Sequence, residues 1–183
     1  MRAVLDACVL YPTVMREMLF GAARAGLFQP IWSDRLLEEW ALTGAKFGPE
    51  VEAQARGEIA LAQAAFPTAC QKTRPGIEDR LWLPDPNDLH VLALAVSSSA
   101  DVIVTANAKD FPRHILAEEG LGRADPDALL QGFTEAQPEG MAEVGARVLA
   151  TARRLSGEDW TMRALMRKAR LTRTGKALER LET

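Results

Sequence analysis

Short apolar runs and helical patterns alternate along the first two thirds of the chain. The run RAVL at residues 2–5 predicts a buried strand with Asp6 at its carboxyl end. The segment DVIVTAN at residues 101–107 predicts a second buried strand, which ends at Thr105. Helical periodicity and capping residues predict helices over residues 12–25, 33–42 and 50–65, and one that begins at Asp85. Strands that alternate with helices favour an α/β fold of three layers around a mostly parallel central sheet.

Beyond Asp125 the chain shows only helical patterns. They predict helices over about residues 126–133, 138–155, 158–169 and 174–181. We therefore expect an α/β domain over residues 1–124 and a helical extension over residues 125–183. No run of about 18 apolar residues is present, so the sequence predicts no membrane span.

The cysteine content bears on the compartment. Cys8 and Cys70 are the two cysteines of the chain, which is too few for a disulfide framework, and their spacing does not suit a zinc site. A reducing, cytoplasmic environment is therefore expected.

The net charge of −3 hides an asymmetry between the two parts of the chain. Residues 1–144 hold 12 Lys and Arg against 21 Asp and Glu, whereas residues 145–183 hold 10 against 4. Basic segments commonly contact phosphate backbones or acidic partners, although a solvated helix surface explains the same pattern.

Several oxygen-bearing side chains are predicted to meet at one edge of the sheet. Asp6 ends the first strand, and Asn107 and Asp110 follow the second. Asp85 and Asp88 begin the helix that leads into the second strand, so they can reach the same edge. In open parallel sheets, ligands bind outside the carboxyl ends of the strands.

Carboxylates gathered in one cleft repel each other unless a hard divalent cation neutralises them. Ligand sets made only of oxygen favour Mg²⁺ or Mn²⁺ over zinc. Such a site suits phosphodiester hydrolysis. Structural roles remain open at this point, because Asp6 could form a turn, and Asp85 and Asp88 could cap the helix.

Four blocks of sequence, taken together, resemble the PIN-domain ribonuclease family, and within it the VapC-like toxins of type II toxin–antitoxin systems. The blocks are VLDACVLYP at residues 4–12, SDRLLEEW at 33–40, LPDPNDLHVLALA at 83–95 and DVIVTANAKDFP at 101–112. The resemblance implies a PIN-like fold over residues 1–124. Residues 125–183 resemble the helical extension that a subset of these toxins carries.

The resemblance also implies a site that holds Mg²⁺ or Mn²⁺ and cleaves single-stranded RNA. Its metal ligands would be Asp6, Glu39, Asp88 and Asn107, with Asp110 as a further catalytic carboxylate and Thr105, Cys8 and Asp85 in support. Glu38 is the alternative to Glu39.

Two positions depart from the family pattern. Cys8 stands where the family often has Asn, and Asn107 stands where it often has Asp. A thiol is a weak hydrogen-bonding group and an amide is neutral, so the site carries less charge than the most acidic PIN sites.

The resemblance implies a cognate antitoxin as a protein partner, and a second copy of the chain as another. The charge asymmetry suggests that the basic tail, residues 145–183, contacts the RNA backbone. Its candidate cations are Arg147, Arg153, Arg154, Arg163, Arg167, Lys168, Arg170 and Arg173, and the selected RNA-binding residues are Arg153, Arg154, Arg167, Lys168 and Arg170.

Three other functions are alternatives to a metal-dependent ribonuclease. A catalytically weak or inactive PIN module would bind RNA or a protein partner without cleavage. A nuclease that acts on DNA or in ribosomal RNA processing would use the same site. A phosphatase of the haloacid-dehalogenase type needs a second Asp two residues after the first, and Cys8 occupies that position.

Overall fold

The computed structural model describes residues 1–181 and contains a four-stranded, fully parallel sheet. The strand order is β2-β1-β3-β4. The strands are β1 (Arg2–Leu5), β2 (Gln29–Ile31), β3 (Val102–Val104) and β4 (Gly122–Ala124). The predicted α/β fold with a parallel central sheet is therefore confirmed.

The two strands predicted from the sequence occupy the centre of the sheet. Leu5 of β1 is aligned with Val104 of β3, and both side chains are fully buried. Central strands of a parallel sheet are covered on both faces, which explains their continuous apolar runs. Because the two strands end side by side, the residues that follow them, Asp6 and Thr105, lie next to each other.

The two edge strands were not predicted. Each has three residues, and neither is an apolar run, since β2 contains Gln29 and Pro30 and β4 contains Gly122 and Arg123. Proline at an edge strand leaves its missing N–H outside the ladder.

Six helices accompany this sheet in the chain order up to β4. They are α1 (Ala7–Leu10), α2 (Thr13–Arg24), α3 (Asp34–Ala45), α4 (Pro49–Ala65), α5 (Leu89–Ser97) and α6 (Arg113–Glu118). Ser33 caps α3 as predicted, because its side chain accepts a hydrogen bond from the Leu36 N–H. The helix predicted to begin at Asp85 starts as a 3₁₀ turn over Pro86–Asp88, and Asp85 caps this turn through the Asn87 N–H.

The last four helices are α7 (Pro126–Ala136), α8 (Pro138–Ser156), α9 (Met162–Lys168) and α10 (Thr172–Glu179). The prediction of a helix over 158–169 was wrong at its start. Gly157 ends α8 in the left-handed conformation, and Thr161 caps α9 through the Ala164 N–H. Residues 158–161 therefore form a connection.

The chain divides into two compact units. The first contains the sheet and comprises Met1–Tyr11 and Gln29–Ala124. The second consists of Pro12–Phe28 and the described chain from residue 125 onward, so α2 groups with the C-terminal helices. Within this second unit Gly21 of α2 faces Val144 of α8 so closely that an added Cβ would overlap the valine side chain.

No helix among residues 1–181 is long and apolar enough to cross a lipid bilayer.

Candidate functional site

Asp6 lies at the carboxyl edge of the sheet, directly after β1, and its side chain is 7% exposed. The backbone N–H of Asp6 donates to the Val104 carbonyl over 3.1 Å, which continues the ladder between β1 and β3. The hydroxyl of Thr105 donates to Oδ2 of Asp6 over 2.8 Å. This bond holds a buried carboxylate in one orientation, since a charge-assisted bond is stronger than a neutral one.

The thiol of Cys8 also donates to Oδ2 of Asp6, over 3.1 Å, and lies 3.4 Å from the Thr105 hydroxyl. Burial and the neighbouring Asp6 carboxylate raise the pKa of the Cys8 thiol to about 12. Cys8 therefore remains a protonated donor at neutral pH. No hydrogen bond within residues 1–181 reaches Oδ1 of Asp6, so this oxygen is available to a ligand.

Asp88 is the last residue of the 3₁₀ turn and is half-buried. Burial is the largest cause that raises its pKa to about 6, followed by repulsion from the carboxylates of Asp6, Asp110 and Asp85. His90 acts in the opposite direction and lowers the pKa. The structure therefore brings the four predicted aspartates into one electrostatic environment.

The loop after β3 holds the last two predicted oxygen donors. The side-chain amide of Asn107 donates to Oδ2 of Asp110, and the Asn107 backbone N–H donates to the Thr105 hydroxyl over 3.0 Å. Arg123 of β4 donates to the carbonyls of Ala108 and Phe111 from the same side of the loop. Hydrogen bonds therefore hold the loop at Asn107 and at Phe111, and the Asn107 amide is bound to the Asp110 carboxylate.

Glu39 and Glu38 have different surroundings on α3. Glu39 Oε1 lies 2.9 Å from Nε2 of His90, on α5, and 3.4 Å from Nε of Arg35. Glu38 points to the exposed Arg56, at 2.9 Å. Because His90 also acts on Asp88, Glu39 is the glutamate linked to the aspartates.

His90 is a contributor whose role sequence reasoning did not identify. Its side chain is 4% exposed, and Nε2 contacts Glu39. Its Nδ1 is buried without a hydrogen-bond partner among the described residues. A histidine among apolar helix positions suggests packing from sequence alone, and only the placement of α3 beside α5 reveals the contact with Glu39.

The donor chemistry fits a hard divalent cation. The four aspartates offer carboxylate oxygens, and Oδ1 of Asp6 is free of hydrogen bonds. Within residues 1–181, however, no three His, Cys, Asp or Glu side chains are close enough together to hold a metal ion. The residues therefore suit Mg²⁺ or Mn²⁺ by type, while their side chains are not arranged as a closed ligand shell.

The predicted RNA-binding cations lie in the second compact unit. Arg153 and Arg154 are in α8, Arg167 and Lys168 are in α9, and Arg170 lies in the turn before α10. All five are exposed, and within residues 1–181 Arg153 is the one that lies near an acid, with its Nε 3.6 Å from Oδ1 of Asp159.

A comparison with protein families finds a match to a model described as PIN domain, over residues 2–109. This span is more than half of the chain. It includes Asp6, Glu38, Glu39, Asp85 and Asp88, and it ends one residue before Asp110. No curated protein and no solved structure matches the chain.

Proposed function

The chain belongs to the PIN-domain family, and on that basis we propose that it is a metal-dependent ribonuclease that hydrolyses RNA phosphodiester bonds. The observation that carries the proposal is the environment of Asp88, where burial and, after it, repulsion from three other aspartates raise the pKa of the half-buried carboxyl group to about 6. Such mutual repulsion opposes folding, and divalent-cation binding would relieve it.

The ligands in this proposal are Asp6, Asp88 and Glu39, with Asp110 and Asn107 as further donors. Mg²⁺ or Mn²⁺, when bound, would lower the pKa of a water molecule and stabilise negative charge on the phosphate oxygens. Asp85 caps the turn that carries Asp88, so its role is to position that residue.

The surrounding side chains orient these carboxylates. Thr105 and Cys8 both donate to Oδ2 of Asp6, which leaves Oδ1 without a hydrogen bond within residues 1–181. His90 contacts Glu39 and fixes the α3 carboxylate relative to α5. A carboxylate held by neighbours loses less conformational freedom when it binds a ligand.

We further propose that the protein is the toxin of a VapBC-type pair and acts in the cytoplasm. The support is the likeness of its four sequence blocks to VapC-like toxins. A free ribonuclease damages its own cell, so a cognate antitoxin would be needed as a partner. A second copy of the chain is a further proposed partner.

Cleavage of single-stranded RNA by the purified protein tests the proposal. We expect cleavage with Mg²⁺ or Mn²⁺ and none with EDTA. Asp6→Asn should abolish it, and Glu39→Gln should reduce it on the order of 10–100-fold, as loss of a metal ligand or its support does. In cells, expression of the wild type should arrest growth, whereas expression of Asp6→Asn should not. Co-expression of the neighbouring gene, as the source of the antitoxin, should restore growth.

Glu38→Gln is the matched control for Glu39→Gln, because it is the adjacent residue on the same helix and contacts only the exposed side. It should leave cleavage unchanged. Equal losses in the two variants would assign the effect to α3 in general and would contradict a role for Glu39 in the site.

A second function has specific support. Cys8 and Asn107 reduce the polarity and charge of the site, and no three-residue metal group is formed within residues 1–181. A module without catalysis would bind RNA equally well with Mg²⁺ and with EDTA. Asp6→Asn would leave the RNA affinity unchanged under both conditions.

A further inference from the structure

Two carboxylates of the site share one feature, since one oxygen of each is surrounded by donors of the protein and the other is not. Oδ2 of Asp6 accepts from the Thr105 hydroxyl over 2.8 Å and from the Cys8 thiol over 3.1 Å. Oδ1 of Asp6 accepts no hydrogen bond within residues 1–181. A carboxylate oxygen offers about two lone-pair positions, so those of Oδ2 are both in use.

Glu39 repeats this arrangement on a different element. Its Oε1 lies 2.9 Å from Nε2 of His90 and 3.4 Å from Nε of Arg35. Within residues 1–181, no hydrogen bond or ion pair reaches Oε2. Asp6 follows β1 whereas Glu39 lies in α3, so two separate parts of the chain present a carboxylate in the same way.

The surroundings of His90 decide which of its ring nitrogens carries the proton. The side chain is 4% exposed, and Nδ1 is buried without a hydrogen-bond partner among the described residues. A proton on Nδ1 would have no acceptor there, and it would leave the lone pair of Nε2 facing the negatively charged Oε1 of Glu39. The proton is therefore on Nε2, and His90 is a donor to the carboxylate.

Packing alone does not account for a histidine at this position. The residues that follow it in α5, from Val91 to Ala95, are apolar and buried. An apolar side chain at position 90 would fill the same space without a buried, unpaired Nδ1, which is costly. The contact with Glu39 is the feature that only a polar side chain supplies.

We propose that His90 restricts Glu39 to binding a cation through Oε2 alone, and that single-oxygen presentation of this kind makes the site select Mg²⁺ or Mn²⁺ against Ca²⁺. The inference rests on the proposed function, which supplies the cation. His90 is not among the residues that the family resemblance implies. It is a positioning residue, since it acts through Glu39.

The two kinds of cation need different things from a carboxylate. Ca²⁺ takes about six to eight oxygens and commonly binds both oxygens of one carboxylate. Mg²⁺ demands near-octahedral geometry, keeps several of its waters and is held through one or two carboxylates. Asp6 and Glu39 each offer one oxygen, which meets the needs of Mg²⁺ and not those of Ca²⁺.

The spacing of the side chains has the same consequence. Within residues 1–181 no three His, Cys, Asp or Glu side chains are close enough together to hold a metal ion. An ion at this site would therefore keep part of its water shell, as Mg²⁺ commonly does. Asp88 is an exception, because no side-chain hydrogen bond within the described chain holds its carboxylate. One such carboxylate does not provide the many oxygens that Ca²⁺ requires.

Direct binding of Mn²⁺ to the full chain tests this inference without RNA. The protein is titrated with Mn²⁺, and the free ion is measured by electron paramagnetic resonance. Ca²⁺ is then added as a competitor, which gives the ratio of the Ca²⁺ dissociation constant to that of Mn²⁺. The wild type should bind Mn²⁺ more tightly than Ca²⁺.

His90→Leu removes the donor and keeps an apolar side chain in the core. Glu39 can then turn and offer both oxygens, so the Mn²⁺ affinity should fall about 10-fold while the Ca²⁺ affinity is retained. The ratio should fall by the same factor. His90→Gln carries an amide N–H that can replace the Nε2 donor, so it should restore most of the wild-type ratio. A merely structural role would change both affinities together and leave the ratio as it is.

His114→Leu is the matched control, because His114 is the other histidine of the chain and is exposed on α6. It should keep the wild-type ratio. The midpoint of thermal unfolding shows whether each variant retains its fold. If His90→Leu does not fold, Thr105→Val provides the same test at Asp6, since it removes one of the two donors to Oδ2, and the ratio should again fall.

An unchanged ratio in folded His90→Leu, or one that His90→Gln does not restore, would overturn the inference. Tighter binding of Ca²⁺ than of Mn²⁺ by the wild type would also overturn it. If the ratios behave as expected but the protein cleaves no RNA, the ribonuclease proposal fails while the role of His90 stands. If the wild type cleaves RNA but His90→Leu keeps its ratio, the ribonuclease proposal stands without a role for His90 in ion selection.

Discussion

Replacement of Asp88 by Asn should make the protein more stable and less active. In the folded state, burial and the carboxylates of Asp6, Asp110 and Asp85 raise the pKa of Asp88 to about 6. For a fully shielded group, this shift corresponds to about 3 kcal/mol of unfavourable free energy at neutral pH. Because Asp88 is only half-buried, screening by solvent reduces the expected effect to about 1–2 kcal/mol.

The dependence on pH follows from the direction of the shift. The folded-state pKa lies above the unfolded one, so the folded protein binds the extra proton between about pH 4 and about pH 6. The free-energy cost of ionised Asp88 in the folded protein is absent below about pH 4, grows between about pH 4 and about pH 6, and is complete above about pH 6. The stability gain of D88N should therefore be full at neutral pH and mostly lost near pH 4.

Urea denaturation at neutral pH and near pH 4, without divalent cations, measures this difference. D79N is the control, since Asp79 is an exposed carboxylate of a different 3₁₀ turn in the same compact unit. The same preparations should show that D88N has lost RNA cleavage. A D88N protein that is less stable than the wild type, or a gain that is independent of pH, would refute the electrostatic reasoning.

Two further predictions concern single contacts. Thr105→Val removes the hydroxyl that donates to the buried Asp6 carboxylate, so unfolding free energy at neutral pH should fall by about 1–3 kcal/mol, while Thr105→Ser should retain most of it. Gly21→Ala places a Cβ against Val144 and should cost about 1–3 kcal/mol in the same denaturation assay. Val144→Ala should reduce the cost of Gly21→Ala in a double-mutant cycle, and additive effects would contradict the overlap.

The centre of the sheet was predictable because it depends on local sequence. Residues 2–5 and 102–104 are apolar runs, and two parallel strands of this kind pair in the interior. The edge strands β2 and β4 have three residues each and exist through their pairing with β1 and β3. The hydrophobic pattern of three residues is too short to predict pairing with a strand that is distant in the sequence.

The site divides in a similar way. The meeting of Asp6 and Thr105 follows from the rule that adjacent parallel strands end at the same edge, so their hydrogen bond was within reach of sequence reasoning. The contact between Glu39 and His90 depends on how α3 and α5 are placed, and neither helix specifies that alone. The particular ligand set stays a prediction.

The grouping of α2 with the C-terminal helices affects how the protein is made. α2 leaves the ribosome early, yet Val144, which faces its Gly21, follows more than a hundred residues later. Until then α2, whose side chains Met15, Met18 and Leu19 are buried in the folded protein, lacks the helices α7 and α8 that it contacts. Assembly of that unit must wait for synthesis of nearly the whole chain, so a prematurely terminated product would expose apolar surface and become a target for chaperones and proteases.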